Sequence, residues 1–523
     1  MKVLVSDSLA QDGLDILKAS LDVDVNTGLS EDELVGIIGE YDALVVRSGT
    51  KVTARVIEAT KHMQIIGRAG VGVDNIDVEA ATQRGILVVN APDGNSIAAA
   101  EHAIALMFAL ARNIPQAHAS LSEGKWERKK FMGVEVTGKT LGVIGMGRIG
   151  RHVAQRARGL DMRVVVYDPY ISGDLAEQVG VEVCELDELL AQADFITIHV
   201  PKAPSTVGLI GERELALMKP SARLINCARG GIVDEVALVK ALDAGQLAEA
   251  ALDVFSAEPL PPDSPLIGHP KITLTPHLGA STQEAQVAVA YDVAQQVVEV
   301  LTGGVAAHPV NAPMIPPETQ AQLLPFCELA EKLGQAARQL AEGHLGQVHF
   351  TYAGQLADMD TDLLRVLLIK GLFGITEPPI TLVNASLVAR EHGLKVVEEK
   401  TEDATPFANL ITVSFDEDGK ERVLSGTIMR GKPFIVRIDQ YWMDVIMEGY
   451  QLLAFHRDRP GLIGEAGQVT GRHDINIAFM GLGRLEPRGD ALMALTLDEP
   501  ASPEVQAEIE ALKDIYKVRL LEL

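Results

Sequence analysis

Thr140-Leu141-Gly142-Val143-Ile144-Gly145-Met146-Gly147-Arg148-Ile149-Gly150, followed by an apolar run ending in Tyr167-Asp168-Pro169, is the stretch on which the reading of this chain turns. Leu141 to Ile144 reads as a short buried strand and Ile149 to Leu160 as a helix. Between them Gly145, Gly147 and Gly150 form G-x-G-x-x-G. The first glycine allows a sharp turn, the second lets backbone approach a pyrophosphate, and the third lets helix pack close to strand. Unpaired N–H groups at the helix N-terminus favour the phosphates. Arg163 to Tyr167 reads as the next strand, delivering Asp168 at the interval where an acid meets the adenosine ribose 2′-hydroxyl. An acid there repels a 2′-phosphate, so the cofactor expected is NAD rather than NADP.

A chain of 523 residues is too long for one core and points to about three or four domains. No apolar run reaches the length of a membrane span. The most apolar stretch, Ile97 to Leu110, carries Glu101 and His102 and reads as a buried helix linking domains. The N-terminus reaches Asp7 after too few apolar residues for a signal peptide. Cys184, Cys227 and Cys327 stand far apart in no metal-ligand spacing, so a metal-free protein of the reducing cytoplasm is expected. A net charge of −26 argues against nucleic acid, whose affinity comes largely from Lys and Arg on phosphates. An anionic substrate must be held by local cations.

Val3 to Val5, Ala43 to Val46, Ile65-Ile66 and Leu87 to Val89 read as buried strands between helical patterns at Gly13 to Ser20 and Glu31 to Ile38, a small α/β layer. Two of these strands run into basic loops, Arg47-Ser48-Gly49-Thr50 and Arg68-Ala69-Gly70-Val71-Gly72-Val73-Asp74. Ligands bind off the carboxyl ends of such strands, which puts Arg47 and Arg68 where an anion is met. After the nucleotide turn, strands are expected at Phe195 to Val200, Arg223 to Cys227, Ala250 to Val254 and Lys271 to Thr275. The last three lead to Arg229-Gly230-Gly231, Glu258-Pro259 and His277-Leu278-Gly279-Ala280. A histidine can take a hydroxyl proton as hydride leaves, a buried carboxylate can fix its tautomer and raise its basicity, and an arginine can bind a carboxylate and polarise a carbonyl. That set suits oxidation of a 2-hydroxy acid. His269 precedes its strand and reads as structural.

Gly145 to Gly150, Asn226-Cys227-Ala228-Arg229-Gly230-Gly231, Asp253-Val254-Phe255 and Pro276-His277-Leu278-Gly279-Ala280-Ser281-Thr282 resemble the D-isomer-specific 2-hydroxy acid dehydrogenases. Trp126 to Gly133, reading WERKKFMG, narrows the resemblance to the long D-3-phosphoglycerate dehydrogenases. It implies a discontinuous flavodoxin-like substrate domain over 1–97 and 281–308, and an inserted Rossmann NAD domain over 98–280. An α+β intervening domain over 309–447 and a βαββαβ ACT domain over 448–523 would follow. By the same resemblance Arg229, Glu258 and His277 are catalytic. Cofactor contacts are implied for Val71, Gly145, Gly147, Arg148, Ile149, Gly150, Asp168, Val200, Cys227, Ala228, Arg229, Asp253, His277, Gly279 and Ala280, with Val71 and Val200 giving backbone or packing. Substrate contacts are implied for Arg47, Ser48, Arg68, Gly70 and Asn95, with Arg128 and Lys129 reaching in from a neighbouring subunit of a dimer or tetramer. The implied reaction is NAD-dependent oxidation of 3-phosphoglycerate to 3-phosphohydroxypyruvate, opening L-serine synthesis. A hydroxypyruvate or glyoxylate reductase and a non-enzymatic NAD-sensing corepressor are the alternatives.

Gly303-Gly304 and Pro309 to Pro317 read as a linker. Beyond it helices are expected at Ala321 to Ala341 and Asp360 to Phe373, and strands at Gln347 to Ala353, Leu410 to Phe415, Arg422 to Met429 and Pro433 to Ile438. From Tyr450 the pattern is βαββαβ, with Pro460 suited to the first helical position. In ACT domains, which this segment resembles, Asp458 and Asn476 match positions that bind an amino acid, and L-serine is the effector expected.

Overall fold

A computed structural model describes residues 1–523 apart from 172, 315–316, 375–379 and 418. Four sheets organise it. The first is parallel, with spatial order Asp22–Val25, Lys2–Val5, Ala43–Val46, Ile65–Arg68, Leu87–Asn90. Ala43–Val46 is buried along its whole length because helices cover both faces, so it reads as a continuous apolar run rather than an alternation. One face is covered by a helix from far along the chain, Gln283–Leu301, capped by Thr282 through the N–H of Ala285. A Cβ on Gly67 would lie 2.6 Å from Val293, and one on Gly13 would lie 2.7 Å from the carbonyl of Ala290. The returning chain then reaches the edge of the same sheet, where Val88 N–H donates to Asn311 and Val89 bridges Pro309.

The second sheet is also parallel and has seven strands. Its order is Ile272–Leu274, Glu249–Leu252, Arg223–Asn226, Phe195–Ile198, Thr140–Ile144, Arg163–Tyr167, Glu182–Val183. The chain enters it through Ser96–Arg112, which packs on the Arg148–Arg158 helix and on this sheet. Among the described residues no single helix is long and apolar enough to cross a membrane. Ser96–Arg112 and Ile114–Ser122 would suffice together, but they are bent by 63°, and Asn113 between them is left-handed.

Six strands form the third sheet, mostly antiparallel, in the order Lys395–Thr401, Gln347–Gly354, Asn409–Glu417, Lys420–Met429, Lys432–Ile438, Tyr441–Ile446. Helices Pro317–Leu340 and Asp362–Phe373 pack on it and on each other, with Gly334 against the Leu368 carbonyl and Gly371 against that of Glu331. The expected linker through Pro317 includes 315–316, which lie outside the described residues. The fourth sheet has the order Ile477–Arg484, Asp490–Leu497, Tyr450–Arg457, Ile515–Glu522, with helices Leu462–Arg472 and Pro503–Glu510 on one face. Its other face adds Leu453, Leu492, Ala494 and Leu521 to the third sheet's core. Pro460 does not open the helix there. Gly461, at φ 90°, is the N-cap and Leu462 the first helical residue, because the chain leaves the strand through a left-handed turn that glycine adopts without strain.

Candidate active site

The carboxyl ends of the first two sheets face a common cleft of about 1030 Å³. The first sheet contributes Arg47, Ser48, Arg68, Gly70 and Asp74, and the second Arg229, Glu258, His277 and Ala280; Asn95 stands at the crossing between them. The structure thus brings three residues separated by up to 48 positions, Arg229, Glu258 and His277, together with two loops from the far N-terminus.

His277 Nδ1 lies 2.7 Å from Glu258 Oε2. With that carboxylate accepting a hydrogen bond from Nδ1–H, the neutral ring presents the Nε2 lone pair. The hydrogen bond to Glu258 holds the imidazole above its ordinary pKa, against burial and the Arg229 charge, which lower it. Burial pushes Glu258 up, but His277 and the N–H of Phe255 outweigh it and leave the carboxyl below its usual range. Glu258 is not buried as its role suggested: its side chain, which lines the cleft, is 36% exposed. His277 itself has φ 56°. Its turn is clamped from beneath by the fully buried Asp253, which accepts from Leu278 N–H at 2.7 Å, Gly279 N–H at 2.8 Å and the Thr275 hydroxyl at 2.6 Å, with His102 Nε2 at 3.3 Å.

Arg229 donates Nε to Asp74 at 3.0 Å and Nη1 to the Ala228 carbonyl at 2.7 Å. Arg68 lies folded against Gly70, with Nε buried and unpartnered; burial first, and then Arg229, bring its pKa down to about 10. Asn95 leaves a buried, unpartnered amide oxygen. Arg47 is anchored through its own N–H on Asp7 at 2.6 Å.

The glycine turn fits a dinucleotide. Gly145, at φ 95°, passes against the backbone of His199 and the Val200 side chain, and a Cβ on Gly150 would meet the Gly145 carbonyl at 2.1 Å. Gly147 has open space where a Cβ would stand, the room a pyrophosphate needs. Asp168 Oδ2 accepts from Met146 N–H at 2.7 Å, tying the acid to the turn, and Oδ1 accepts from Tyr170 N–H. Cys227 and Ala228 are nearly buried under the site; burial pushes the Cys227 thiol up, which makes it inert at neutral pH. Ile149 is half-buried, and its neighbour Arg148 pairs with Asp93 at 2.6 Å. Val71 offers its carbonyl to Asn90 Nδ2.

Not every expected residue is brought in. Arg128 and Lys129 are exposed and do not line this chain's own cleft. Asp458 and Asn476 enter separate networks, Asp458 accepting from Arg488 N–H and Arg484, and Asn476 donating to Asp498. Sequence reasoning passed over Asp7, Asp74, Asn75 and His102, which look like ordinary polar residues until the fold joins them. A second cleft, of about 820 Å³, opens at the amino ends of the first sheet beside Leu363 and Thr381. Its described walls carry Lys61, His62 and Arg84; His62 Nε2 stands 3.8 Å from Asp42, beyond hydrogen-bond reach, against 2.7 Å for His277 and Glu258 in the first cleft.

Residues 104–279 match the family model of the D-isomer specific 2-hydroxyacid dehydrogenase NAD binding domain. Residues 322–439 match that of the D-3-phosphoglycerate dehydrogenase intervening domain. A D-3-phosphoglycerate dehydrogenase of Archaeoglobus fulgidus is 47% identical over 527 residues, covering 100% of both chains. One from Synechocystis is 48% identical over 525 residues, covering 99% of this chain and 95% of its own. Among solved structures, D-lactate dehydrogenase from Aquifex aeolicus, complexed with NAD and lactic acid, superposes with a TM-score of 0.55 at 26% identity, covering 60% of this chain and 100% of its own.

Proposed function

Since the chain belongs to the D-isomer specific 2-hydroxyacid dehydrogenase family, in its D-3-phosphoglycerate dehydrogenase branch, we propose that it oxidises 3-phosphoglycerate to 3-phosphohydroxypyruvate with NAD, the first step toward L-serine. The observation that carries the reading is the His277–Glu258 pair facing Arg229, Arg68 and Arg47 in one cleft. The Gly145 to Gly150 turn and Asp168 would hold NAD, which would supply the hydride acceptor. His277 Nε2 takes the hydroxyl proton as the C2–H bond is lost, and Glu258 supports the resulting imidazolium. Arg229, its Nε and Nη1 already engaged, has Nη2 left for the substrate carboxylate and the developing carbonyl. The phosphate falls to Arg47 and Arg68 at the other layer. Initial rates with 3-phosphoglycerate and with D-glycerate test the substrate: a strong preference for the phosphorylated acid is expected, and equal use would make the enzyme a general 2-hydroxy acid dehydrogenase.

Cofactor choice follows from Asp168. NAD should exceed NADP in efficiency, and Asp168→Ala should reduce NAD use by about tenfold and narrow the gap, since a charged hydrogen-bond acceptor is lost from the ribose diol. The same residue holds the Met146 N–H, so part of the loss reports a loosened turn. Equal efficiency with both cofactors in the unmutated enzyme would contradict this.

The protein is read as a cytoplasmic homo-oligomer, supported by its three free thiols and by Arg128 and Lys129 standing clear of their own cleft, available to a neighbour's. The fourth sheet and its helices are read as an ACT domain that binds L-serine. Support comes from the Asp458 carboxylate beside the left-handed Gly461, and from His456, which is 2% exposed with neither ring nitrogen hydrogen-bonded. Serine can slow catalysis only by preferring one domain arrangement. Asp458→Ala in the full chain should therefore move the serine inhibition curve to higher concentration with little change in uninhibited rate. A chain ending before Tyr450 exposes the third sheet's core now shared with Leu453 and Leu492, so the substitution is the cleaner test. Unchanged inhibition in Asp458→Ala would remove Asp458 from the site.

A further inference from the structure

The residues that hold the substrate's two ends come from different layers, yet one dipeptide touches both supports. Asp74 Oδ2 accepts from Arg229 Nε at 3.0 Å, across 155 positions of sequence. Its neighbour Asn75 donates Nδ2 to the carbonyl of Arg47 at 2.7 Å and to that of Thr50 at 2.7 Å. We propose that Asp74-Asn75 is a specificity-determining gauge, in which Asp74 positions Arg229 for the carboxylate end of the substrate and Asn75 positions the Arg47 loop for its phosphate end. This rests on the substrate being a phosphorylated hydroxy acid, as proposed above.

Three features support the assignment. The guanidinium is seated as well as paired: a Cβ on Gly72 would fall 1.9 Å from Arg229 Nη2 and 2.7 Å from Asp74 Oδ2, so this loop leaves room for the arginine only with glycine there. The Arg47 loop is gripped from both sides, since Asp7 Oδ2 accepts from the N–H groups of Arg47 and Thr50 while Asn75 takes their carbonyls. Asn75 is itself fixed, its carbonyl accepting from Val52 N–H at 2.8 Å. Successive Cα atoms stand about 3.8 Å apart across a planar peptide, so the two supports cannot drift independently. One residue step thereby joins the support of Arg229 to that of the Arg47 loop.

Charge points the same way. Arg47, Arg68 and Arg229 all line the cleft, and the Asp74 carboxylate is a counter-charge that favours the protonated form of Arg68. The Asp74 side chain is 59% exposed, so its ion pair adds little to global stability. Its consequence is orientation, which catalysis reads and folding does not.

The test uses the full chain with NAD, comparing kcat and KM for 3-phosphoglycerate and for D-glycerate in Asp74→Asn, Asn75→Ala and the milder Asn75→Ser, with NAD affinity and thermal midpoint followed alongside. Asp74→Asn should lower kcat/KM for both acids by a similar factor, about tenfold, mainly through kcat, because both carry the carboxylate and carbonyl that Arg229 meets. Both Asn75 variants should penalise the phosphorylated acid more than the unphosphorylated one, by about tenfold in Asn75→Ala. NAD affinity should be unchanged throughout. Unaltered kinetics in Asp74→Asn, or equal losses for the two acids in both Asn75 variants, would overturn the gauge while leaving the substrate reading intact. An unmutated enzyme that uses D-glycerate as well as 3-phosphoglycerate would overturn the substrate reading and the Asn75 half with it, and the Asp74 half would still be decided by turnover of D-glycerate.

Discussion

His277→Asn should lower turnover by about 10²- to 10⁴-fold and leave NAD affinity nearly unchanged, because it would remove the proposed proton acceptor without touching the glycine turn. Asparagine preserves polarity at a position whose backbone is left-handed, a conformation it tolerates better than most residues, so the loss reports chemistry rather than a collapsed loop. Glu258→Gln is the control. It keeps the imidazole and removes the largest influence raising its pKa. Oxidation needs the neutral ring, so kcat/KM falls as pH drops through that pKa, and in Glu258→Gln this acid limb should move to lower pH. The plateau rate should fall too, by about tenfold to a hundredfold, the scale of losing a supporting hydrogen bond. Stopped-flow and steady-state pH profiles in both variants check this. Near-normal turnover in His277→Asn would assign the base elsewhere, and an unmoved limb in Glu258→Gln would mean that the titrating group is another one.

Arg229→Gln should cost about 10²- to 10³-fold in kcat/KM, with kcat falling more than KM rises. The reasoning is geometric. Two of the three guanidinium nitrogens are committed to Asp74 and Ala228, so the third is aimed before substrate arrives, and such preorganised donors act most where charge develops. Glutamine is shorter and cannot keep both anchors and the donor. Ground-state binding should suffer less, because removing the Arg229 charge also relieves its repulsion of Arg68. Steady-state kinetics with phosphorylated and unphosphorylated acids separate the possibilities: equal losses place Arg229 at the carboxylate and carbonyl, whereas a loss confined to the phosphorylated acid would make it a phosphate ligand.

The two parallel sheets could be read from sequence because their inner strands are covered on both faces and appear as unbroken runs such as Ala43–Val46. Asp22–Val25 and Glu182–Val183, short outer strands of those two sheets, were not expected. Lys395–Thr401 and Tyr441–Ile446 were passed over as well. They are the outer strands of the third sheet, and Lys395–Thr401 is charged and largely exposed, the character an edge strand carries to avoid pairing with other chains. The strand-end positions of Arg229 and His277 were legible because strand, turn and polar residue follow one another locally. The Asp74–Arg229 pair was not, because nothing near Asp74 in sequence signals a partner that only the closing of two layers supplies. Pro460 shows a local rule overridden: the proline preference for a helix start gave way to a left-handed glycine because the strand before it had to change direction first. Glu258 was expected to be buried from its role, yet its side chain is 36% exposed where it lines the cleft between two layers, a setting that the local sequence does not announce.

The helix Gln283–Leu301 that covers one face of the first sheet also sets a timetable for synthesis. The five strands of that sheet are complete at Asn90, but the helix residues that complete its cover, Val293 over Gly67 and Ala290 against Gly13 of the neighbouring helix Gln11–Ser20, emerge only about 200 residues later. At about 5–20 residues per second, the ribosome leaves that apolar face without its lid for about 10–40 s while the entire second sheet is being made. The N-terminal layer of each new molecule is therefore the last of the first two to close, although it is the first to be translated.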